Sequence, residues 1–95
     1  MITLGVDVGT THTKVLALEI ETGRTLALES AATPVVRDAA GEAHRPAQVL
    51  EVVLELVGAV VDRLPAGATL DALCVASVGE EVVLLDANGR PTLSL

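Results

Sequence analysis

The chain has 95 residues, a formal net charge of −7 and no Phe, Trp or Tyr, while 51% of its residues are hydrophobic. A chain of this length forms one domain at most, and its core must consist of Val, Leu, Ile and Ala side chains. The acidic balance and the lack of aromatic rings for base stacking argue against a nucleic-acid partner.

The sequence also argues against export and membrane insertion. The N-terminal apolar run is interrupted by Asp7 and has no basic residue before it, unlike a signal peptide. The longest apolar stretch, residues 49–61, contains Glu51 and Glu55 and is too short to span a bilayer. The single cysteine, Cys74, lies in an apolar run and is predicted to be a buried, reduced core residue. The alternative is a catalytic thiol, which is less favoured because no basic residue is close in sequence. Together these features predict a cytoplasmic protein.

Three strands are predicted at the start of the chain. Residues 2–8 and 13–20 are rich in apolar side chains and are separated by a small polar turn. Residues 21–24, Glu-Thr-Gly-Arg, predict a second tight turn, and residues 25–31 predict a third strand. The three strands are therefore expected to form an antiparallel meander.

The pattern then changes from strand to helix. Residues 33–45 predict a loop, and Pro46 suits the first turn of a helix. Apolar residues recur at helical spacing on one side, and acidic residues mark the other side. The apolar residues are Val49, Leu50, Val53, Leu54, Val57, Val60, Val61 and Leu64, and the acidic ones are Glu51, Glu55 and Asp62. Residues 65–67, Pro-Ala-Gly, then stop the helix.

The last predicted elements are a strand and a hairpin. Residues 71–77 form a continuous apolar run of the kind that is buried on both faces of a sheet. A right-handed crossover through the helix would place this strand parallel to the first. Residues 82–85 and 92–95 flank Asn88-Gly89 and predict a hairpin. The predicted fold class is therefore α/β: a three-strand meander, a helix, a buried strand and a hairpin.

The turn between the first two strands is the part of the sequence that points to function. It lies within residues 7–14, Asp-Val-Gly-Thr-Thr-His-Thr-Lys. Gly9 has no Cβ, so backbone N–H groups and the Thr10 and Thr11 hydroxyls can approach an anion closely. Asp7 would repel a phosphate unless a hard cation such as Mg²⁺ lay between them. The alternative is an ordinary hairpin in which Asp and Gly are turn formers.

Two motifs give the chain a family resemblance. The Asp-x-Gly-Thr-Thr-x-x-Lys pattern of residues 7–14 resembles the first phosphate loop of the actin, Hsp70 and sugar kinase superfamily. Residues 76–91 read Ala-Ser-Val-Gly-Glu-Glu-Val-Val-Leu-Leu-Asp-Ala-Asn-Gly-Arg-Pro. They resemble the Ser-x-Gly-Gln-x-x-x-x-Leu-Leu-Asp-x-x-Gly-x-Pro stretch of FGGY-type carbohydrate kinases such as xylulokinase and gluconokinase. The order and separation of the two motifs are also similar to those in that family.

This resemblance implies a ribonuclease H-like (actin-like ATPase) fold and an ATP-dependent carbohydrate kinase, an enzyme that transfers the γ-phosphoryl group of ATP to a sugar hydroxyl. The cofactors it implies are ATP and Mg²⁺. It gives Asp7 a water-mediated contact to Mg²⁺. It gives Gly9, Thr10, Thr11 and His12 contacts to the β- and γ-phosphates of ATP.

Two residues of this motif have competing interpretations. Lys14 would add positive charge near the transferred phosphoryl group, which suits chemistry that depends on positioning and electrostatics. It would equally suit a solvated position on a strand. His12 is included by the resemblance, but turn preferences favour a histidine with no chemical role.

The resemblance places the sugar near the segment after the fourth strand, where this chain has Glu80 and Glu81. Carboxylates accept hydrogen bonds from sugar hydroxyls well. Successive strand residues point to opposite faces, so only one of the two is expected to face the cleft. Many family members have Gln-Met-His where this chain has Glu80-Glu81-Val82, which weakens the case for xylulose-type recognition. The alternative is a pair of solvated charges at a strand end.

The resemblance covers nearly all of the chain but only the first part of a full-length kinase. The general base, the second phosphate loop and the adenosine-binding glycines are expected beyond residue 95, so no catalytic residue is assigned here. We therefore expect residues 1–95 to be the truncated N-terminal part of kinase domain I and to be inactive alone. Its expected partners are a sugar or sugar alcohol and the remainder of the kinase chain. The alternatives are an Hsp70-like or other actin-fold ATPase segment and a non-catalytic stand-alone module.

Overall fold

The computed structural model describes residues 1–39, 41–77 and 83–94, and there the main elements follow each other in the predicted order. The helix is α1 (Pro46–Asp62). The strands are β1 (Ile2–Val8), β2 (His12–Glu19), β3 (Arg24–Ala32), β4 (Val36–Asp38), β5 (Gly41–Ala43), β6 (Leu70–Ser77), β7 (Val83–Leu85) and β8 (Pro91–Ser94).

Four strands form the central sheet, in the order β3-β2-β1-β6. The first three are antiparallel neighbours, which confirms the predicted meander. β6 runs parallel to β1, with Val8 opposite Ser77 at their ends, which confirms the predicted crossover to a parallel fourth strand. β7 and β8 pair as the predicted hairpin in a separate two-stranded sheet.

The predicted loop over residues 33–45 contains a short hairpin that the sequence analysis missed. β4 and β5 pair in antiparallel fashion, with Asp38 opposite Gly41. The side chains of Arg37 and Glu42 form an ion pair across this hairpin, with 2.8 Å between Nε and Oε1. Strands this short contain too few residues to show an alternating apolar pattern, so their sequence resembles that of a loop.

The core lies on one face of the sheet, where α1 packs against β2 and β3. Side chains alternate between the two faces of a strand, so every second residue points toward α1. Val15 of β2 and Val60 of α1 are fully buried at the centre of this layer. The buried apolar residues are Leu4, Val6, Val15, Ala17, Ala27, Leu56 and Val60. The core therefore consists of the small aliphatic side chains that the composition required.

The boundaries of α1 follow from local chemistry. Pro46 occupies the first helical turn, where the missing N–H of proline costs nothing. The helix ends at Asp62, two residues before the predicted end at Leu64, because Pro65 disfavours helical geometry in the residue before it. The Arg63 side chain then donates to the Leu28 carbonyl and the Glu29 carboxylate, at 3.1 Å each. These bonds tie the C-terminal end of α1 to β3.

The prediction that residues 71–77 are buried on both faces is wrong, because β6 is exposed along its whole length. Leu73 and Val75 lie opposite Leu4 and Val6 of β1, yet they are 64% and 59% exposed. The prediction that Cys74 is buried is wrong for the same reason. α1 covers β2 and β3, so β6 remains uncovered at the edge of the sheet.

The start of β1 is held at the end of the sheet opposite the β1–β2 turn. The Ile2 N–H donates to the Asp71 carboxylate of β6 at 2.9 Å, and the Ile20 N–H donates to the Met1 carbonyl at 3.0 Å. The Met1 ammonium group forms an ion pair with Glu21. The hydrogen bond that the Met1 ammonium group donates to Glu21 within this ion pair raises the pKa of the ammonium group and lowers the pKa of the Glu21 carboxyl group.

The core assignment predicts different effects for two apolar truncations on α1. Val60→Ala removes two methyl groups from a fully buried site and should lower the free energy of unfolding by about 2 kcal/mol. Leu54→Ala is the matched control, since Leu54 is 61% exposed and its truncation should change stability by less than about 0.5 kcal/mol. Urea unfolding followed by circular dichroism measures both, and equal losses would contradict the assigned core.

Candidate functional site

Three residues, Gly9, Thr10 and Thr11, connect β1 to β2. The turn is closed by a hydrogen bond from the Gly9 N–H to the His12 carbonyl at 3.0 Å. Val8 and Thr13 form the last cross-strand pair below it. The turn therefore lies directly at the C-terminal end of β1, as the motif predicted.

Gly9 is required here by contact with its own chain. A Cβ on Gly9 would lie 2.7 Å from the His12 carbonyl oxygen, closer than side chains approach backbone atoms. The φ angle of Gly9 is outside the left-handed region, so conformational freedom is not the reason for glycine at this position. The tight approach of two backbone segments explains the glycine, whether or not an anion binds.

Thr33, which follows β3, holds the turn from its buried side. Its N–H donates to the Thr11 carbonyl at 2.9 Å, and its hydroxyl donates to the Gly9 carbonyl at 2.8 Å. The Thr13 hydroxyl lies 2.9 Å from the Thr33 hydroxyl, and both residues are buried. The turn is thus connected through two hydroxyl groups to the core face of β2.

The other side of the turn offers hydrogen-bond donors. Thr10 and Thr11 are exposed, and in the part of the chain that the structure describes their N–H groups have no protein partner. Their hydroxyl groups are likewise without a partner in those residues. Adjacent unpaired backbone N–H groups and hydroxyls form a surface that suits an anion such as phosphate.

Asp7, His12 and Lys14 lie on one face of the sheet, opposite the face that α1 covers. Asp7 of β1 is directly opposite Lys14 of β2, and all three side chains are exposed. On the other side of Asp7 lies Ala76 of β6. The structure therefore brings these three predicted residues together beside the turn.

The surroundings of Asp7 fit the predicted role in Mg²⁺ binding. Its carboxylate is exposed and forms no salt bridge or hydrogen bond among the described residues, so its oxygens are available as ligands. No group of three or more His, Cys, Asp or Glu side chains that could hold a metal occurs in those residues. Mg²⁺ is commonly held by one or two carboxylates together with water and substrate phosphates.

Glu80 and Glu81 lie outside the described residues, so their predicted contact with a sugar stays a prediction. The structure does show where the preceding segment ends. Ser77, the last residue of β6, is opposite Val8, the last residue of β1. Because the two strands are parallel, the chain leaves β6 at the same edge of the sheet as the Gly9–Thr11 turn.

Two residues of this region, Thr13 and Thr33, were missed by the sequence analysis. Thr13 alternates with Val15 and Ala17 on β2, and this spacing could have indicated a position on the buried face. Thr33 carries no such signal, because it follows the end of a strand and precedes Pro34. Its contact with Gly9 joins residues 24 positions apart and depends on the pairing of β2 with β3.

Comparisons with known proteins identify this architecture. No protein-family model and no curated protein sequence matches the chain. Xylulose kinase from Rhodospirillum rubrum matches with a TM-score of 0.85 and 21% identity, over 99% of this chain and 20% of that chain. The chain shares its fold with carbohydrate kinases. The ribonuclease H-like, actin-like ATPase fold that the motifs implied is therefore confirmed.

Two kinases from Lactobacillus acidophilus give the same result. Gluconate kinase has a TM-score of 0.84 and 20% identity, over 98% of this chain and 18% of that chain. Xylulose kinase has a TM-score of 0.83 and 20% identity, over 98% of this chain and 19% of that chain. The chain thus spans about a fifth of the length of these kinases. Similarity at this identity establishes the fold and leaves the substrate open.

The helix content adds one further observation. Within residues 1–39, 41–77 and 83–94, no helix is both long and apolar enough to cross a membrane. α1 contains Glu51 and Glu55 on its exposed side.

The turn geometry predicts opposite effects for two glycine substitutions. Gly9→Ala places a Cβ against the His12 carbonyl oxygen and should lower the free energy of unfolding by about 1–3 kcal/mol. Gly58→Ala is the control: it lies in α1, nothing is within 4 Å of its Cβ position, and it should stabilise by about 0.5–1 kcal/mol. Chemical unfolding of both variants provides the test, and a stable Gly9→Ala variant would contradict the described turn.

Proposed function

We propose that this chain forms the N-terminal part of an ATP-dependent carbohydrate kinase. The observation that carries the proposal is the β1–β2 turn at the end of the strand that carries Asp7. Among the described residues, the N–H groups of Thr10 and Thr11 and the Asp7 carboxylate have no partner. The fold that the chain shares with xylulose and gluconate kinases supports the same proposal. We also propose that the protein is cytoplasmic.

In this proposal the turn binds the β- and γ-phosphates of ATP. The N–H groups and hydroxyls of Thr10 and Thr11 donate hydrogen bonds to phosphate oxygens, and Gly9 allows the tight turn that presents them. Lys14 is the only Lys or Arg in residues 1–23, so it would be the cation nearest the turn in sequence. Backbone donors in a fixed orientation suit phosphoryl transfer, which depends mainly on positioning and electrostatic stabilisation.

Asp7 would bind Mg²⁺ through water at the edge of this site. When bound, Mg²⁺ neutralises charge on the phosphate oxygens and fixes their orientation. Asp7 lies opposite Lys14 at the end of β1, so its carboxylate can hold metal-bound water without entering the turn itself. His12 lies on the same face and stays a candidate for a phosphate contact.

The proposed reaction would use groups from these 95 residues together with groups from the remainder of the kinase chain. The oxygen of a sugar hydroxyl forms a bond to the γ-phosphorus, and the bond from that phosphorus to the bridging oxygen of ADP breaks. The hydroxyl proton passes to a general base, which we place in the remainder of the kinase chain. Glu80 and Glu81 are proposed to accept hydrogen bonds from sugar hydroxyls at the same sheet edge.

We predict that residues 1–95 alone have no kinase activity, because the general base and the adenosine site are proposed to lie elsewhere in a longer chain. The test incubates the purified fragment with ATP, Mg²⁺ and a panel of pentoses, hexoses and sugar alcohols. ADP formation should not exceed the sugar-free blank. Sugar-dependent ADP formation that Asp7→Asn abolishes would show that the fragment is complete for catalysis.

In the full-length protein, Asp7→Asn should lower kcat by about 10²-fold, about 2.7 kcal/mol, because metal positioning acts mainly in the transition state. Sugar binding measured without nucleotide should change little. Asp62→Asn makes the same chemical change at an exposed position on α1 and should leave kcat unaltered. Glu81→Ala should show the reverse pattern if that side chain faces the cleft, with weaker sugar binding and unchanged Mg·ATP affinity.

The assignment of Asp7 to Mg·ATP and that of Glu81 to the sugar can be tested separately. Isothermal titration with sugar alone measures sugar binding, and steady-state kinetics measures kcat. If Asp7→Asn weakened sugar binding in the absence of nucleotide and left kcat intact, the turn would belong to the sugar site instead.

A further inference from the structure

We propose that Thr33 is a positioning residue that sets the direction of the Thr10 and His12 N–H groups at the β1–β2 turn. It lies beyond the end of β3 and contacts no reacting group in the proposed site. Its effect would pass through the backbone of Gly9 and Thr11. The inference rests on the proposed function for its consequence in catalysis, while its structural part can be measured separately.

Thr33 controls two peptide groups of the turn at once. A peptide group is planar and trans, so the carbonyl of one residue and the N–H of the next point in opposite directions. The Thr33 hydroxyl holds the Gly9 carbonyl at 2.8 Å and thereby directs the Thr10 N–H to the opposite side. The Thr33 N–H holds the Thr11 carbonyl at 2.9 Å and directs the His12 N–H in the same way.

The number of hydroxyl protons decides which of the Thr13 and Thr33 hydroxyls is the donor in their contact. A threonine hydroxyl has one proton, and that of Thr33 is donated to the Gly9 carbonyl. The Thr13 hydroxyl must therefore donate to the Thr33 oxygen across the 2.9 Å contact. The chain of bonds runs from Thr13 through Thr33 to Gly9, and it starts on the core face of β2.

Burial makes this chain of bonds rigid. Thr13 is 0% exposed and Thr33 is 6% exposed, so water does not compete for either hydroxyl. Removal of the Thr33 hydroxyl would leave the Thr13 hydroxyl without its acceptor and the Gly9 carbonyl without its donor. The Gly9–Thr10 peptide could then rotate, and the Thr10 N–H would no longer have a fixed direction.

The test uses the protein encoded by the complete reading frame, with three variants. Thr33→Val keeps the shape of the side chain and removes the hydroxyl, Thr33→Ser keeps the hydroxyl, and Thr25→Val makes the first change at an exposed site on β3. One readout is the rate of amide hydrogen exchange at the Gly9 N–H, which donates to the His12 carbonyl. The second is the steady-state kinetics of sugar phosphorylation.

We expect Thr33→Val to speed exchange at Gly9 by about tenfold or more, and to lower kcat/KM for Mg·ATP by about tenfold. The KM for sugar should change less than about twofold, because the change acts on the phosphate turn alone. Thr33→Ser and Thr25→Val should match the unaltered protein in both readouts. Exchange in peptides from α1 should be the same in all variants, which controls for general destabilisation.

Three results would overturn the inference. The first is an equal exchange rate at Gly9 in Thr33→Val and Thr33→Ser. The second is a Thr33→Val variant whose KM for sugar and kcat/KM for Mg·ATP are impaired to the same extent. The third is a Thr33→Ser variant whose kinetics are as impaired as those of Thr33→Val. If the unaltered protein phosphorylates no sugar, the proposed function fails. The positioning role of Thr33 is then decided by exchange at Gly9 alone.

Discussion

The parallel pairing of β1 with β6 is the constraint on which the rest of this structure depends. It places Val8 opposite Ser77, so two segments far apart in sequence leave the sheet at one edge. One is the Gly9–Thr11 turn, and the other is the segment that begins after Ser77. Because a parallel strand requires a crossover, the chain must also supply α1 and lay it across the sheet. A proposed phosphate site and a proposed sugar site can then be neighbours.

The alternation of side chains lets the first two strands carry a core and a site at once. On β2, Thr13 and Val15 point into the layer under α1, while Lys14 between them points to the open face beside Asp7. The turn is consequently anchored from one face, and the Thr10 N–H, which has no partner among the described residues, points away from the Thr33 contact. In the proposed phosphate site, backbone donors would matter more than in a basic protein, since the net charge is −7.

The exposed apolar surface of β6 shows how unevenly the sheet is covered. Leu73 and Val75 lie beside the core residues of β1, yet they are exposed, since α1 packs mainly against β2 and β3. The kinases with this fold are much longer, since the chain spans only 18–20% of the three compared above. A strand with this exposed apolar sequence accords with our proposal that the chain is one part of a longer kinase.

The sequence alone determined the meander, the position of α1, the final hairpin and the turn that contains Gly9, because each depends on local periodicity or turn chemistry. It did not determine the burial of β6 or of Cys74, since burial depends on which strands α1 covers. The tertiary structure also decided the role of Thr33, whose bond to Gly9 exists only because β3 pairs with β2. Local patterns specify elements, whereas contacts between distant residues arise only when the elements pack.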